Sequence, residues 1–515
     1  MQNYLKNTNL IALLIALLTT GFLRLQLFSG LPGSDGGFYT FASQWIFNAV
    51  TQDIVIKDAP LYLYQFITSW VYGFEVNQFI LLRLIDGAVA VAASVVLFKI
   101  ILKESGSNIF TIILMAPLLI IMNDIQYVAY GFRNSIWAAY LLLFSALLVW
   151  QNSTKNDKYS FYLIGGLVSL GVLLREPFLL FFLLAGISIY ISYGRKELFK
   201  YLIGSAVIGF SVMIFMMMFR GWDLQNLIYT YTTFGRYFHD LEGVPRLTLM
   251  SGVFLLIQKG WFICILSLIS IIYLIQLYFS DKKSVGINRF YLWVMVTLIP
   301  LIEPILKLPF EYHYSICLPG LAGLSAMGWK YLSLHQSKQT IKLSTPLIGV
   351  MSLFVIFPVV NSTIIKSERI YLPSDAMKWA SSFDAFRSSN TIEKNQYSKI
   401  AAKVYEHSRE DSTLSTSGVM QVLYPLTELL PPTFELSRLR LLHIKYNFDD
   451  DKLIKRIMKY RPTIIVTTDW TPGERILTEI IDKIDIYEKV STIPLDPKIN
   501  YGWKSGIIYR LKDFN

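Results

Sequence analysis

The run Gly33-Ser34-Asp35-Gly36-Gly37-Phe38-Tyr39 sets one carboxylate between glycines and aromatics, directly after the first long apolar segment of the chain. A carboxylate placed there can accept a proton from a hydroxyl, and the flanking glycines let another backbone or a substrate approach closely. Asp is also a preferred cap for the helix that follows, and the two roles are compatible. Further charged groups fall at the same ends of the apolar segments as Asp35: Lys57, Asp58, Arg83, Asp124, Arg133, Arg175, Glu176, Arg236, His239, Asp240, Lys307, Glu311 and His313. Carboxylates mixed with arginines are the set expected where an anionic headgroup is held while a hydroxyl loses its proton.

The elements that must position these groups are apolar helices. Of 515 residues, 54% are hydrophobic and only 16% charged, and mean hydropathy is positive, which excludes an ordinary soluble protein. Segments long enough for a hydrocarbon core of about 30 Å recur at 8–27, 79–101, 108–122, 135–150, 160–174, 178–193, 200–219, 250–279, 289–306, 313–329 and 343–362. The expected fold class is therefore a polytopic α-helical membrane protein of about 11 transmembrane helices with a C-terminal α/β extracytoplasmic domain. The first segment reads as a retained helix: its apolar run is long, and no small-residue cleavage pattern follows it. Segments 160–174 and 178–193 read as two helices or as one broken at Arg175-Glu176-Pro177, and charge decides between them.

With the N-terminus inside, the short cytoplasmic loops carry Lys6, Lys99, Lys103, Lys155, Lys158, Arg195, Lys196, Lys200, Lys282, Lys283, Arg289, Lys330, Lys338 and Lys342. These outnumber Lys57, Arg133, Arg175, Arg220, Arg236, Arg246 and Lys307 on the longer outer loops, so the positive-inside rule favours eleven spans with the C-terminus outside. Arg24, Arg83 and Lys259 lie within or at the ends of spans and do not enter that comparison. Cytoplasmic anchors facing anionic lipid account for much of the net charge of +11, and nucleic acid is not implied as a partner. Cys264 and Cys317 both fall in expected spans, which excludes a disulfide framework in the outer domain.

Two domains are expected: 1–362, transmembrane, with interfacial helices inside 28–78, and 363–515, an outer α/β domain. The stretches Phe38 to Val50 and Leu61 to Phe74 are amphipathic and aromatic, a composition that favours the headgroup level. In the tail, Leu453 to Tyr460 reads as a helix ended by Arg461-Pro462, Thr463 to Thr468 as a buried strand, Glu474 to Ile484 as a helix and Ser505 to Leu511 as a strand. This outer domain shows no Gly-rich phosphate loop, metal-ligand cysteine spacing or nucleophile elbow.

Several of these segments, in this order, resemble the GT-C superfamily of polyprenyl-phosphate-sugar glycosyltransferases, in particular protein mannosyltransferases, aminoarabinose transferases and the rhizobial RgtA/B/C/D-like group. They are Ser34-Asp35-Gly36-Gly37-Phe38-Tyr39 after the first span, Asp58-Ala59-Pro60-Leu61-Tyr62-Leu63-Tyr64, Leu82-Arg83-Leu84-Ile85, Gly165-Gly166-Leu167 through Leu174-Arg175-Glu176-Pro177, and Glu311-Tyr312-His313-Tyr314 with Leu318-Pro319-Gly320. Many relatives carry a second acid directly after the first, whereas this chain has Gly36, and Asp58 can supply the missing carboxylate.

The resemblance implies a transferase in the plasma membrane of a bacterium, its active site facing the periplasm or exterior. Asp35 would be the general base, with Asp58 as a second catalytic acid. The leaving polyprenyl phosphate would be held by Arg83, Arg133, Arg175 and Arg236, arginine being suited to bidentate phosphate contacts. His313 reads more readily as a satisfied interfacial histidine than as a catalyst, and Tyr312 with His313 could touch the lipid phosphate. For Arg83 and Arg133 the competing reading is snorkelling to headgroups. The implied partners are a polyprenyl-phosphate-linked sugar, a glycan, lipid or protein acceptor, and membrane lipid. Asp58, His239 and Asp240 offer ligands to a divalent metal, the only cofactor these residues suggest, and His239-Asp240 reads equally as a solvated loop. The rival functions are a lipid-linked glycan transporter or flippase, and a polysaccharide polymerase or ligase.

Overall fold

The structure is a computed structural model that describes residues 10–25, 34–51, 63–74, 78–123, 134–154, 156–175, 178–218, 249–280, 287–298, 317–335, 346, 348–354, 356, 396–418, 420–469, 472–494 and 505–513. The chain is predominantly helical with one small C-terminal sheet. In chain order the longer helices are α1 (Leu10–Gly21, continuing through Phe22–Leu25), α2 (Ser34–Thr51), α3 (Leu63–Thr68, followed by a 3-10 turn at Ser69–Gly73), α4 (Gln78–Ser105), α5 (Asn108–Met122) and α6 (Asn134–Asn152). After them come α7 (Ser160–Leu174), α8 (Phe178–Tyr193), α9 (Arg195–Met218), α10 (Leu249–Ser280), α11 (Ile287–Leu298) and α12 (Leu318–His335).

Most of these helices start and stop close to the apolar segments read from the sequence, because loss of hydropathy and local caps end them together; α12 differs, ending at His335 where the sequence reading ended at 329. At α5, the Ser107 side chain accepts from the Phe110 N–H at 3.3 Å, and the Asn123 N–H returns to the Leu119 carbonyl at 3.1 Å. Arg175, in extended conformation, ends α7, and its N–H bonds the Gly171 carbonyl at 2.9 Å. Phe161 near the start of α7 meets Tyr193 at the end of α8 with centroids 4.9 Å apart, so the two are separate antiparallel helices and not one broken helix.

By length and composition, Leu81–Ser105 and Arg195–Met218 are, among the described residues, the two helices apolar enough to cross a membrane unaided. Others such as Asn108–Met122 have 15 residues, a rise of about 22 Å against a core of about 30 Å.

The chain divides into two compact units. The first comprises Met1–Gly30, Arg83–Met213 and Arg246–Tyr371. Its core is aliphatic and aromatic, with Phe110 stacked on Trp329 at 4.5 Å and Tyr140 on Phe144 at 5.1 Å. Small residues bring helices close: Gly165 of α7 lies against the Tyr201 carbonyl of α9, Gly204 of α9 lies against the Tyr162 carbonyl, and the Ser205 hydroxyl donates to the Gly165 carbonyl at 3.0 Å. Outward, this unit presents Leu202, Val207 and Phe210 on α9, Leu183, Ile187 and Ile191 on α8, and Leu268, Ile269 and Ile272 on α10.

The second unit comprises Leu31–Leu82, Ile214–Pro245 and Leu372–Asn515, so residues 31–82 belong to the same compact body as the C-terminal tail. Beyond α2 and α3 it contains α13 (Gln396–Glu406), β1 (Leu414–Thr416), α14 (Leu423–Thr427), α15 (Leu439–Lys445), α16 (Asp450–Tyr460), β2 (Ile464–Thr468), α17 (Pro472–Asp482), β3 (Tyr487–Pro494) and β4 (Ser505–Leu511). The sheet order is β1-β2-β4-β3, with β1 and β2 parallel and the other pairs antiparallel.

Strand β2 is buried along its whole length, as a central strand must be, and Leu453 and Ile457 of α16 with Leu477, Ile480 and Ile481 of α17 cover the sheet. Asp449 caps α16 by accepting the Lys452 N–H at 3.0 Å, and Arg461 in the left-handed region followed by Pro462 ends it. The edge strand β3 is charged and carries an irregularity between Lys489 and Ser491, features that blunt edge pairing.

Candidate functional site

The first unit buries a polar network at one end of its helices. In α1 a π-turn at Leu17–Gly21 brings Thr20 and Arg24 inward, both almost fully buried. The Arg24 guanidinium pairs with Asp86 of α4, and its Nε donates to Asn123 Oδ1 at 2.9 Å. Asn123, the residue that closes α5, uses its amide fully: Nδ2 donates to the Leu119 carbonyl at 2.7 Å and to Thr20 Oγ1 at 3.3 Å. Thr20 also meets the Ser94 hydroxyl at 3.0 Å, and the Trp137 ring lies 5.3 Å from the guanidinium carbon of Arg24. Arg83, one turn before Asp86 on α4, is buried and attracts the same carboxylate.

Arg175 lies at the same end. A Cβ on Gly171 of α7 would sit 3.9 Å from the Ala139 carbonyl of α6, so the Arg175 position, one turn further on, is level with the start of α6 that carries Trp137. Arg175 is buried, and Arg83 is 4% exposed, so neither guanidinium projects from the surface of the unit, as the snorkelling reading of Arg83 requires. Buried guanidiniums from α1, α4 and α7 with the Asp86 carboxylate make a site that can hold an anionic, hydrogen-bonding ligand at the end of an apolar bundle.

Asp35 falls in the first turn of α2, inside the helix rather than ahead of it. In the second unit α2 is held on one side by α3 and the following turn: Ser43 meets Thr68 at 3.4 Å and the Tyr72 hydroxyl donates to the Thr40 carbonyl at 2.9 Å. Asp58, Arg133, Arg236, Tyr312, His313, His239 and Asp240 lie outside the described residues. Among the described residues no group of three His, Cys, Asp or Glu is placed to hold a metal ion.

A second polar cluster sits at the carboxyl ends of the parallel strands β1 and β2. Glu474, at the start of α17, is 2% exposed, and burial pushes its carboxyl up to about 7 against the opposing pull of the Gly418 N–H and Arg440. Thr468 Oγ1 donates to it at 3.4 Å. Arg440 lies over Gly473, where any side chain would collide with the guanidinium, and reaches His443 Nδ1 at 3.1 Å, while His443 Nε2 contacts Asp450 at 2.8 Å. Burial, then the charge of Arg440, holds His443 below the usual histidine value.

Sequence reasoning reached Asp35, Arg83 and Arg175 but missed Arg24, Asp86, Asn123 and the Glu474 cluster. The available signal was a charged residue inside an apolar segment, which Arg24 and Asp86 both give. Compared with protein-family models and with curated proteins, the chain matches none.

Proposed function

We propose that this chain is a GT-C-like membrane glycosyltransferase that moves a sugar from a polyprenyl-phosphate donor to an envelope glycan, lipid or protein acceptor on the outer face of a bacterial plasma membrane. The observation that carries the reading is the placing of buried Arg24, Arg83 and Arg175 at one end of the helical bundle, Arg24 and Arg83 standing on either side of the Asp35 motif in sequence. Guanidiniums in such a setting stabilise the negative charge that develops on a departing lipid phosphate. Asp35 then takes the proton of the acceptor hydroxyl as its oxygen attacks the anomeric carbon, a role that typically contributes about 10²- to 10⁴-fold in rate. Direct displacement of this kind inverts that carbon.

Membrane placement is supported by the first unit being apolar on its outer face as well as in its core. Its large aliphatic side chains on α8, α9 and α10 face outward while its ion pair is buried, an arrangement suited to lipid rather than water. In this reading the described helices belong to a set of about eleven spans, with the N-terminus cytoplasmic and the C-terminal α/β fold outside. The buried Arg24–Asp86 pair also favours a second reading, a transporter or flippase for lipid-linked glycans, since such pairs line charge pathways in membrane carriers.

The test is mass spectrometry of envelope glycans and lipid-linked sugars in the host strain carrying chromosomal Asp35→Asn, with protein abundance measured alongside. Loss of one sugar from an acceptor, with its polyprenyl-phosphate donor accumulating at normal protein level, supports transfer and identifies both substrates. Unchanged glycans at normal abundance sink the transferase reading and favour the transporter.

A further inference from the structure

We propose that the C-terminal α/β fold positions the Asp35 helix through an aromatic clamp, so that Phe41, Trp45, Tyr424 and Phe434 are positioning residues for the reaction. This inference rests on the transferase reading. Helix α2 presents Phe41, Ala42, Trp45 and Ile46 as one buried face. Phe41 stacks on Tyr424 with centroids 4.3 Å apart and on Phe434 at 5.7 Å, and Trp45 meets Phe434 at 5.9 Å. The Tyr424 ring is itself fixed to the sheet: its hydroxyl donates to the Ser437 carbonyl at 3.0 Å and contacts Thr416 Oγ1 of β1 at 3.4 Å. Thr416 in turn donates to the same carbonyl at 2.8 Å. The α2 helix is therefore tied to the frame of the sheet on one face and to Thr68 and Tyr72 on the other.

Phe41 stands six residues beyond Asp35, about 9 Å along the helix axis. A rigid helix transmits a shift at the clamp to its first turn, and a displacement near 1 Å can lower the rate of an aligned reaction about 100-fold. On this view the C-terminal fold acts on the reaction without touching substrate. It sets where the base stands.

The test uses full-length protein. Chromosomal Phe41→Ala, Phe41→Leu, Tyr424→Ala and Tyr424→Phe are compared with Asp35→Asn for acceptor glycan and lipid-linked donor. Hydrogen exchange of residues 34–51 is followed in the purified proteins in lipid nanodiscs. Tyr424→Ala and Phe41→Ala are expected to speed exchange in α2 about 10-fold or more, leave α5 unchanged, and lower product at least 10-fold while donor accumulates. Phe41→Leu falls between, and so does Tyr424→Phe, which keeps the stack on Phe41 but loses the bonds to Ser437 and Thr416. Unchanged exchange in Tyr424→Ala overturns the clamp. Faster exchange with full product, in a strain where Asp35→Asn abolishes product, overturns the positioning role. If Asp35→Asn itself leaves glycans intact, the transferase reading fails and the positioning role with it, while the exchange data still decide whether the clamp exists.

Discussion

Replacing Asp86 by leucine leaves the Arg24 guanidinium, 3% exposed, without its ion-pair partner inside the helical bundle. At an effective dielectric constant near 20 two unit charges about 4 Å apart attract by roughly 4 kcal/mol, and removing one member of a buried pair typically costs about 3–5 kcal/mol. Arg24→Met alone has a similar cost from the other side and also strips the donor from Asn123 Oδ1, a loss of about 1–3 kcal/mol. The double variant Arg24→Met/Asp86→Leu removes both charges of the pair, so its cost is expected to fall below the sum of the single costs and to comprise the orphaned Asn123 acceptor, roughly 1–3 kcal/mol, and the loss of Asp86 from buried Arg83. The coupling energy from the cycle should therefore exceed about 2 kcal/mol. Unfolding by SDS in mixed micelles, followed by far-ultraviolet circular dichroism, supplies the four stabilities, and acceptor glycan per molecule of protein supplies activity. A single-variant cost under about 1 kcal/mol, or coupling under about 0.5 kcal/mol, refutes a desolvated pair. If the double variant regains both stability and product, the pair is a packing device and the donor site lies elsewhere.

Two further outcomes follow from the geometry. Glu474 binds its proton more tightly folded than unfolded, so its contribution is fully present below about 4.5 and is lost as pH rises to about 7, where (7 − 4.5) × 1.36 amounts to about 3 kcal/mol. His443, kept neutral by burial, works in the opposite sense, losing stability as pH falls below its usual 6.5. Below pH 6.5 the two groups offset each other, so the Glu474 effect is read as a difference: between pH 5 and pH 7 hydrogen exchange of β2 in the full-length protein should speed up more in the wild type than in Glu474→Gln, and identical profiles refute the assignment. At the α7–α9 crossing, Gly204→Ala drives a Cβ into the Tyr162 carbonyl and should cost about 1–3 kcal/mol in the same SDS titration, whereas Gly209→Ala meets only the movable Ser169 hydroxyl and should cost less. Equal costs would show that the helices separate freely at Gly204.

Helix positions were legible in the sequence because hydropathy and caps act between near neighbours. The Asn108–Met122 helix and the Ser505–Leu511 strand both fall where periodicity and composition put them. Strand β1 escaped notice because three residues carry no alternation, and β3 because Glu488, Lys489, Ser491 and Thr492 make an exposed edge look like a loop. Arg24, Asp86 and Asn123 are separated by 62 and 99 positions along the chain, and Phe41 meets Tyr424 across a still longer interval. No local pattern encodes such pairings. By itself the sequence determined which segments are apolar helices, where they stop, and that an acid follows the first of them. Only tertiary packing decided which buried charges meet and which aromatic rings hold the Asp35 helix, because those contacts form when distant helices exclude solvent together and the polar groups trapped between them must satisfy one another.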